Sequence, residues 1–288
     1  MNQKSKLHKE IENALEEKAY FGHSRHKAKQ DGSDQEKIFS YGTMKQYKRQ
    51  CRLFADYVKE RNQKAKHTSQ AKKYAEDYLN HLIEIGRSPS TIQTARSALS
   101  KLYGETVASN LDLPKKTRDS ITNNRLDCQH LKRFSEKKNA ELVNFCKKTG
   151  LRKHELKALQ GDDLIQLDGK YYIHVRRGKG GKERYVEIYE QDELVIQRMR
   201  QTPAGAKVWT KSNGWKECCP AHRYRADYAA ALYHSYARDV SQLGKHEKYF
   251  CRNDERGKVY DRQALKIVSE NLGHNRINVI PVNYGYKI

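Results

Sequence analysis

Two segments in the second half of the sequence carry residue types that can hold a phosphate group. In residues 149–156 (TGLRKHEL), a glycine turn leads into a predicted helix that carries Arg152 and Glu155, and residues three apart are neighbours on a helix face. A guanidinium braced by a carboxylate can be aimed at a phosphate, although a surface ion pair would show the same spacing. In the second segment, HRYR, His222 and Arg225 share a helix face ahead of a run of small residues.

A third segment predicts a β-hairpin that carries a lysine. Residues 171–175 alternate in polarity, residues 178–182 (GKGGK) form a glycine-rich turn, and residues 183–188 return. Lys179 would lie at the mobile tip, where a lysine is ordinarily inert. Close to a breaking phosphate ester, it could instead donate a proton or a charge-assisted hydrogen bond to the leaving oxygen. A fourth segment, LGHN, places His274 shortly before Tyr284 and Tyr286.

The elements that precede these segments are predominantly helical. Residues 1–40 are predicted to form a basic N-terminal arm that contains one short helix. Residues 41–105 show three amphipathic stripes at helical spacing, the second of which runs from Tyr74 to Ile85. They predict an all-helical module whose outward faces carry basic side chains.

A polar stretch separates this module from the rest of the chain. Residues 106–125 contain Pro114 and lack a sustained period, so they are predicted to form a linker, whose basic residues could follow a phosphate backbone. A solvated linker would have the same composition. Residues 126–288 are predicted to form a second domain. The expected fold class is therefore mainly α with a small antiparallel β-sheet.

The composition favours a nucleic-acid partner. The 288 residues include 57 Lys and Arg against 35 Asp and Glu, a formal net charge of +22. Such a surplus favours a polyanion, and a ribosomal or chromatin-like binder would share it. We find neither a secretory signal nor a stretch of the ~18 to 20 apolar residues that span a bilayer. The six cysteines form no CxxC pair, so we predict reduced thiols, no metal site and a cytoplasmic, nucleoid-associated protein.

Taken in order, the four segments resemble the phage integrase family of tyrosine recombinases. The resemblance runs from about residue 41 to the end, and residues 88–103 (SPSTIQTARSALSKLY) are similar to the family's helical core-binding domain. It implies a core-binding (SAM-like) domain and a catalytic domain that together clamp duplex DNA.

The resemblance also implies a role for each residue of the four segments. Arg152 and Arg225 would hold the two non-bridging oxygens of the scissile phosphate. Lys179 would protonate the departing 5′ oxygen. His222 would handle the tyrosine proton or position the phosphate, and His274 would add a hydrogen bond to the phosphate.

The nucleophile is the point at which this sequence departs from the family. Glu155 would brace the cluster, and Tyr284 would attack phosphorus to leave a 3′-phosphotyrosine bond. In most family members the tyrosine falls one residue earlier, at the position of Asn283 here, and Pro281 disfavours continuation of a helix. We expect Tyr284 to be the nucleophile, with Tyr286 as the alternative and an inactive site as a third possibility.

The resemblance further implies partners and leaves two rival functions open. The partners would be double-stranded DNA attachment or crossover sites, with a homotetramer on DNA, a directionality or host bending factor, no membrane, and neither metal nor ATP as cofactor. One rival is a type IB topoisomerase, and the other is a DNA-binding accessory protein that has lost its nucleophile. The residues expected to contact DNA are Lys45, Lys48, Arg49, Arg52, Lys115, Lys116, Arg118, Lys182 and Arg184.

Overall fold

The computed structural model describes residues 5–117, 133–274 and 276–288, apart from the side chains of His26 and Asn253. The chain divides into two compact units, Met1–Thr122 and Asn123–Ile288, and each has its own hydrophobic core. Arg118 and residues 119–125 of the predicted linker lie outside the described residues. Among those that are described, no helix is both long and apolar enough to cross a membrane.

The first unit is helical in its described part. Its helices are α1 (Lys6–Glu16), α2 (Arg25–Gln30), α3 (Tyr41–Arg61), α4 (Thr68–Ala71), α5 (Ala75–Glu84) and α6 (Pro89–Tyr103). Helices α3 and α6 begin where the sequence supplies a serine cap, because Ser40 and Ser88 accept hydrogen bonds from backbone N–H groups in the first turn. The stripe predicted for α6 lies in the core.

Two details of this unit differ from the sequence prediction. Helix α1, which belongs to the predicted arm, packs Leu7, Ile11 and Leu15 into the core of the first unit. The second predicted stripe begins at Tyr74, in a 3-10 turn that precedes α5. Its expected last core residue, Ile85, is 48% exposed because α5 ends at the preceding residue.

The second unit combines helices with two small antiparallel sheets, which confirms the predicted fold class. Its helices are α7 (Ala140–Thr149), α8 (Lys153–Ala158), α9 (Glu193–Arg200), α10 (Ala221–Tyr236), α11 (Arg262–Asn271) and α12 (Val279–Tyr284). Its strands are β1 (Leu164–Leu167), β2 (Lys170–Val175), β3 (Arg184–Glu187), β4 (Lys248–Phe250) and β5 (Val259–Asp261). The strand orders are β1-β2-β3 and β4-β5.

The predicted hairpin is present as β2 and β3. Ile173 pairs with Val186 in the antiparallel register, and both side chains are buried. Strand β1 was not predicted, although the Asp168–Gly169 turn that joins it to β2 is a local hairpin signal. The β4-β5 pair was not predicted either, because strands of three residues are too short to show a period.

Pro281 does not prevent a helix near the C-terminus. It occupies the first turn of α12, where a backbone N–H has no acceptor within the helix. Tyr284 is consequently the last residue of a helix that begins only two residues before the proline.

Candidate active site

A close contact between two helices determines where Arg152 lies. Gly150 ends α7 with a φ of +57°, and a Cβ at this position would lie 2.4 Å from the Tyr228 ring of α10. Glycine therefore permits both the turn and the close packing. Arg152 then caps α8, where the Glu155 carboxylate accepts its backbone N–H at 2.8 Å and its Nη1 at 2.9 Å.

The end of α11 brings Arg152 and Arg225 together. The carbonyl oxygen of Leu272 accepts hydrogen bonds from Nη2 of Arg152, at 3.0 Å, and from Nη2 of Arg225. Nη1 of Arg225 donates to the carbonyl of Gly150. Carbonyls at a helix C-terminus carry partial negative charge, so they suit paired cations. Burial lowers the pKa of Arg225 to about 10, and its side chain therefore remains charged at neutral pH.

Tyr284 is the predicted nucleophile that contacts this cluster. Its hydroxyl accepts a hydrogen bond from Nε of Arg225 at 3.2 Å and lies 3.4 Å from Nε2 of His274. Tyr284 is only 2% exposed. Tyr286 lies beyond the end of α12, partly buried against the core of this unit. The geometry thus favours Tyr284 over Tyr286.

His274 is held in a turn that makes a neutral imidazole favourable. Its backbone N–H donates to the carbonyl of Ser269 at 2.8 Å, and the Ser269 hydroxyl donates back to the His274 carbonyl at 3.0 Å. Burial, followed by the charges of Arg225 and Arg152, lowers the pKa of His274 to about 4. The ring is therefore neutral at neutral pH and can share a proton with the tyrosine hydroxyl.

This depressed pKa predicts a loss of stability in mild acid. The unfolded histidine binds a proton near pH 6.5, whereas the folded one does so only near pH 4. The unfolded state therefore binds more protons between these values. The contribution of His274 to the free energy of unfolding is complete above pH 6.5 and falls as the pH drops toward 4. Urea unfolding of wild type and His274→Gln across this range is expected to show a shallower pH slope in the variant, and equal slopes would contradict the assignment.

Lys179 and His222 lie at the exposed margin of the site. Lys179 is exposed in the hairpin turn, which is closed by a 2.7 Å hydrogen bond from the Gly178 N–H to the Lys182 carbonyl. Its charge contributes to lowering the pKa of His274. His222 is an exposed residue in the first turn of α10, one turn before Arg225. The structure therefore brings together Arg152, Glu155, Arg225, His274 and Tyr284, with Lys179 and His222 at the edge.

Four of the cations predicted to contact DNA lie along one groove of the first unit. The groove, of about 550 Å³, is bordered by α1 and α3 and is lined by Lys45, Lys48, Arg49 and Arg52, with His8 among the other lining residues. Lys48 pairs with Glu16 of α1.

The remaining predicted DNA contacts are more scattered. Lys115 and Lys116 are exposed at the end of the first described segment, and Lys116 lines a second groove of about 490 Å³. Lys182 is exposed in the hairpin turn.

Arg184 does not have the surface position that the sequence prediction assumed. Its guanidinium donates Nη1 and Nη2 to the two carboxylate oxygens of Glu155 at 2.9 and 2.8 Å, and its side chain is 9% exposed. Strand alternation could have revealed this placement. Arg184 pairs with buried Val175 and lies two residues from buried Val186, so it belongs to the inward face of β3.

Asn271 is a second residue that the sequence analysis missed. Its side-chain oxygen accepts the Glu187 N–H at 2.7 Å and the Tyr228 hydroxyl at 3.2 Å, and its amide nitrogen donates to the carbonyl of Ile267. These bonds join the end of α11 to β3 and α10. No motif in the sequence marks this role. Within the described residues, no group of three or more His, Cys, Asp or Glu side chains is placed to hold a metal ion.

Comparison with known proteins found similar solved structures. No protein-family model and no curated protein matches the sequence. The XerH site-specific recombinase bound to palindromic difH substrate is 17% identical, with a TM-score of 0.49, and the match covers 83% of this chain and 75% of that one. The Tn1549 transposon integrase in complex with circular intermediate DNA is 14% identical (TM-score 0.47, 95% and 94% covered), and the XerA recombinase is 15% identical (TM-score 0.34, 96% and 93% covered).

Proposed function

We propose that this chain is a tyrosine-type site-specific DNA recombinase that breaks and rejoins DNA through a 3′-phosphotyrosine intermediate. The observation that carries the proposal is the contact of the Tyr284 hydroxyl with Arg225, whose guanidinium shares the Leu272 carbonyl with Arg152. The contacts support the proposal because they join the tyrosine and the two arginines proposed for these roles, which come from distant parts of the chain.

The proposed reaction needs only side chains of this chain. Arg152 and Arg225 stabilise the charge that develops on the phosphate oxygens. The Tyr284 oxygen forms a bond to phosphorus as the bond to the 5′ oxygen breaks, and the phosphotyrosine retains the energy for rejoining. His222 or neutral His274 accepts or shares the tyrosine proton, and Lys179 supplies a proton to the 5′ oxygen. Attack by a 5′ hydroxyl on the phosphotyrosine reverses these steps.

The site has to open before a phosphate can bind. Arg225 is 0% exposed and Tyr284 is 2% exposed. The tyrosine hydroxyl accepts the hydrogen bond that Nε of the arginine donates. A phosphate that contacts this donor therefore replaces the hydroxyl. DNA binding is expected to favour a conformation in which α12 has shifted away from Arg225.

The proposed partner is duplex DNA that carries attachment or crossover sites, on which protomers would assemble as a homotetramer, with a directionality or host bending factor as a further partner. The similar XerH and Tn1549 proteins are described in complex with DNA. Covalent capture on a nicked suicide duplex tests the proposal. An adduct without exchange of strands between two duplexes would instead favour a topoisomerase.

Lys45 and Arg49 are expected to contribute to DNA affinity through phosphate contacts. The logarithm of the DNA association constant falls with the logarithm of the salt concentration. Each replacement by Gln should make this slope less negative by about 0.9, because one phosphate contact releases about that many counterions. Fluorescence anisotropy with a labelled duplex at several salt concentrations measures the slope. Lys66→Gln is the matched control, since Lys66 is an exposed lysine of the same unit outside the groove. An unchanged slope in the groove variants would remove the groove from the DNA interface.

A further inference from the structure

Arg184 connects three segments that carry predicted site residues. Besides the two bonds to Glu155, its Nε donates to the carbonyl of Asn271 at 2.8 Å, in the last residue of α11. Glu155 in turn holds Arg152. One guanidinium thus links the start of α8 and the end of α11 to its own strand, β3.

Two glycines bring the Lys179 hairpin and the His274 turn directly against Arg184. A Cβ at Gly178 would lie 2.8 Å from Nη1 of Arg184, and a Cβ at Gly273 would lie 3.0 Å from its Cδ. Each glycine immediately precedes a predicted site residue. A Cβ at Gly178 would also lie 2.7 Å from the Lys182 carbonyl oxygen, whereas the three nearest neighbours of a Cβ at Gly273 all belong to Arg184.

The charges of this group are balanced around one buried carboxylate. Glu155 is 4% exposed. Burial raises its pKa, but the bonds and charges of Arg184 and Arg152 outweigh that effect and lower it to about 2. Without Arg184, the Glu155 carboxylate would keep only its bonds from Arg152, and the buried charge would be less well compensated.

We propose that Arg184 is a positioning residue that holds Arg152, the Lys179 hairpin and the His274 turn in one arrangement through Glu155 and the two glycines. The expected effect of Arg184 on cleavage rests on the proposed recombinase function, whereas its expected effect on the conformation of the hairpin and of the turn is independent of that function. This role differs from the direct DNA contact that the sequence suggested.

The test compares Arg184→Gln and Arg184→Lys with wild type in the full chain. We expect Arg184→Gln to slow single-turnover cleavage at saturating DNA on the order of 100-fold, as small misplacements of reacting groups do, with unchanged DNA affinity. Amide hydrogen exchange at residues 178–182 should become faster. The pKa of His274, measured by NMR titration, should rise because a nearby cation is removed.

Arg184→Lys separates charge from geometry. Lysine keeps the charge but cannot form the paired bonds to Glu155, so the His274 pKa should return toward its wild-type value while cleavage remains slow and hairpin exchange remains fast. Glu155→Gln, which weakens the paired bonds while leaving Arg184 in the chain, should also make hairpin exchange faster and serves if Arg184→Gln does not fold. Arg177→Gln, an exposed arginine beside the same turn, should leave cleavage and exchange unchanged.

Two results would overturn the proposal. One is that Arg184→Gln shows the same hydrogen exchange at residues 178–182, the same His274 pKa and the same cleavage rate as wild type. The other is weaker DNA binding with a normal cleavage rate at saturating DNA, which would make Arg184 a DNA contact. If wild type forms no adduct, the recombinase function fails, and hydrogen exchange at residues 178–182 still decides whether Arg184 positions the hairpin.

Discussion

Tyr284→Phe is expected to abolish covalent attachment to DNA, whereas Tyr286→Phe is expected to retain it. The Tyr284 hydroxyl is the one that contacts Arg225 and His274 among the described contacts of these two tyrosines. Replacing it by hydrogen removes the proposed attacking oxygen and leaves the aromatic ring in place. The measurement is a shifted protein–DNA band on a denaturing gel, with nicked suicide duplexes made from DNA that flanks the gene, in the presence of EDTA.

The same gel distinguishes the alternatives. Loss of the band only in Tyr286→Phe would assign the attack to that residue. DNA binding by wild type without any adduct would contradict the catalytic proposal and favour a binding-only accessory protein. Thermal unfolding of both variants serves as the control, since Tyr284→Phe also removes an acceptor of Arg225, and losing a partner of a buried group costs about 1–3 kcal/mol.

Arg225→Gln is expected to reduce the rate of cleavage by about 10²–10³-fold, the loss typical when one donor to a developing negative charge is removed. The wild-type guanidinium holds Tyr284, Gly150 and Leu272 together from a fully buried position. The free energy of unfolding should fall by only about 1–3 kcal/mol. The Gly150 carbonyl is left without this donor, but the cost of burying a charge is relieved as well.

Arg225→Lys tests whether charge alone suffices. A lysine ammonium lacks the planar fork that reaches three partners at once, and burial makes it lose its proton more readily. Cleavage should therefore remain close to that of Arg225→Gln. Single-turnover cleavage and urea unfolding measure the two effects. Arg223→Gln, on the same helix but 29% exposed in its side chain, is the matched control. Normal cleavage in Arg225→Gln would place the chemistry elsewhere.

Local features of the fold could be predicted from the sequence because neighbouring residues encode them. The spacing of Tyr47, Cys51, Phe54 and Val58 predicts a buried helix face; the last three side chains are 0% exposed, and Tyr47 is partly buried against the same core. Ser88 predicts a helix start that the structure confirms. The glycine-rich turn after β2 predicts the hairpin. Each of these signals extends over a few residues, within which helix and strand periods act.

Other features depended on contacts between distant residues. The start of α12 at Val279 was not located from the sequence, and it decides that Pro281 falls in the first turn, where a helix tolerates proline. Strand alternation could have placed Arg184 on the inward face of β3, but only the tertiary structure shows that its partner is Glu155. The three-residue strands β4 and β5 carried no usable pattern, whereas β1 precedes an Asp168–Gly169 turn that is a local hairpin signal.

The sequence by itself determined the core-facing helices of the first unit, the hairpin of β2 and β3, the basic character and the order of the residues that can act on a phosphate, because these properties depend on residue type and short spacing. Only the tertiary structure decided that Leu272 presents one carbonyl to Arg152 and Arg225, the first of which is 120 residues away. It also decided that Tyr284 lies buried against Arg225. Such contacts join segments whose separation along the chain carries no period, so packing of the second unit's core determines them.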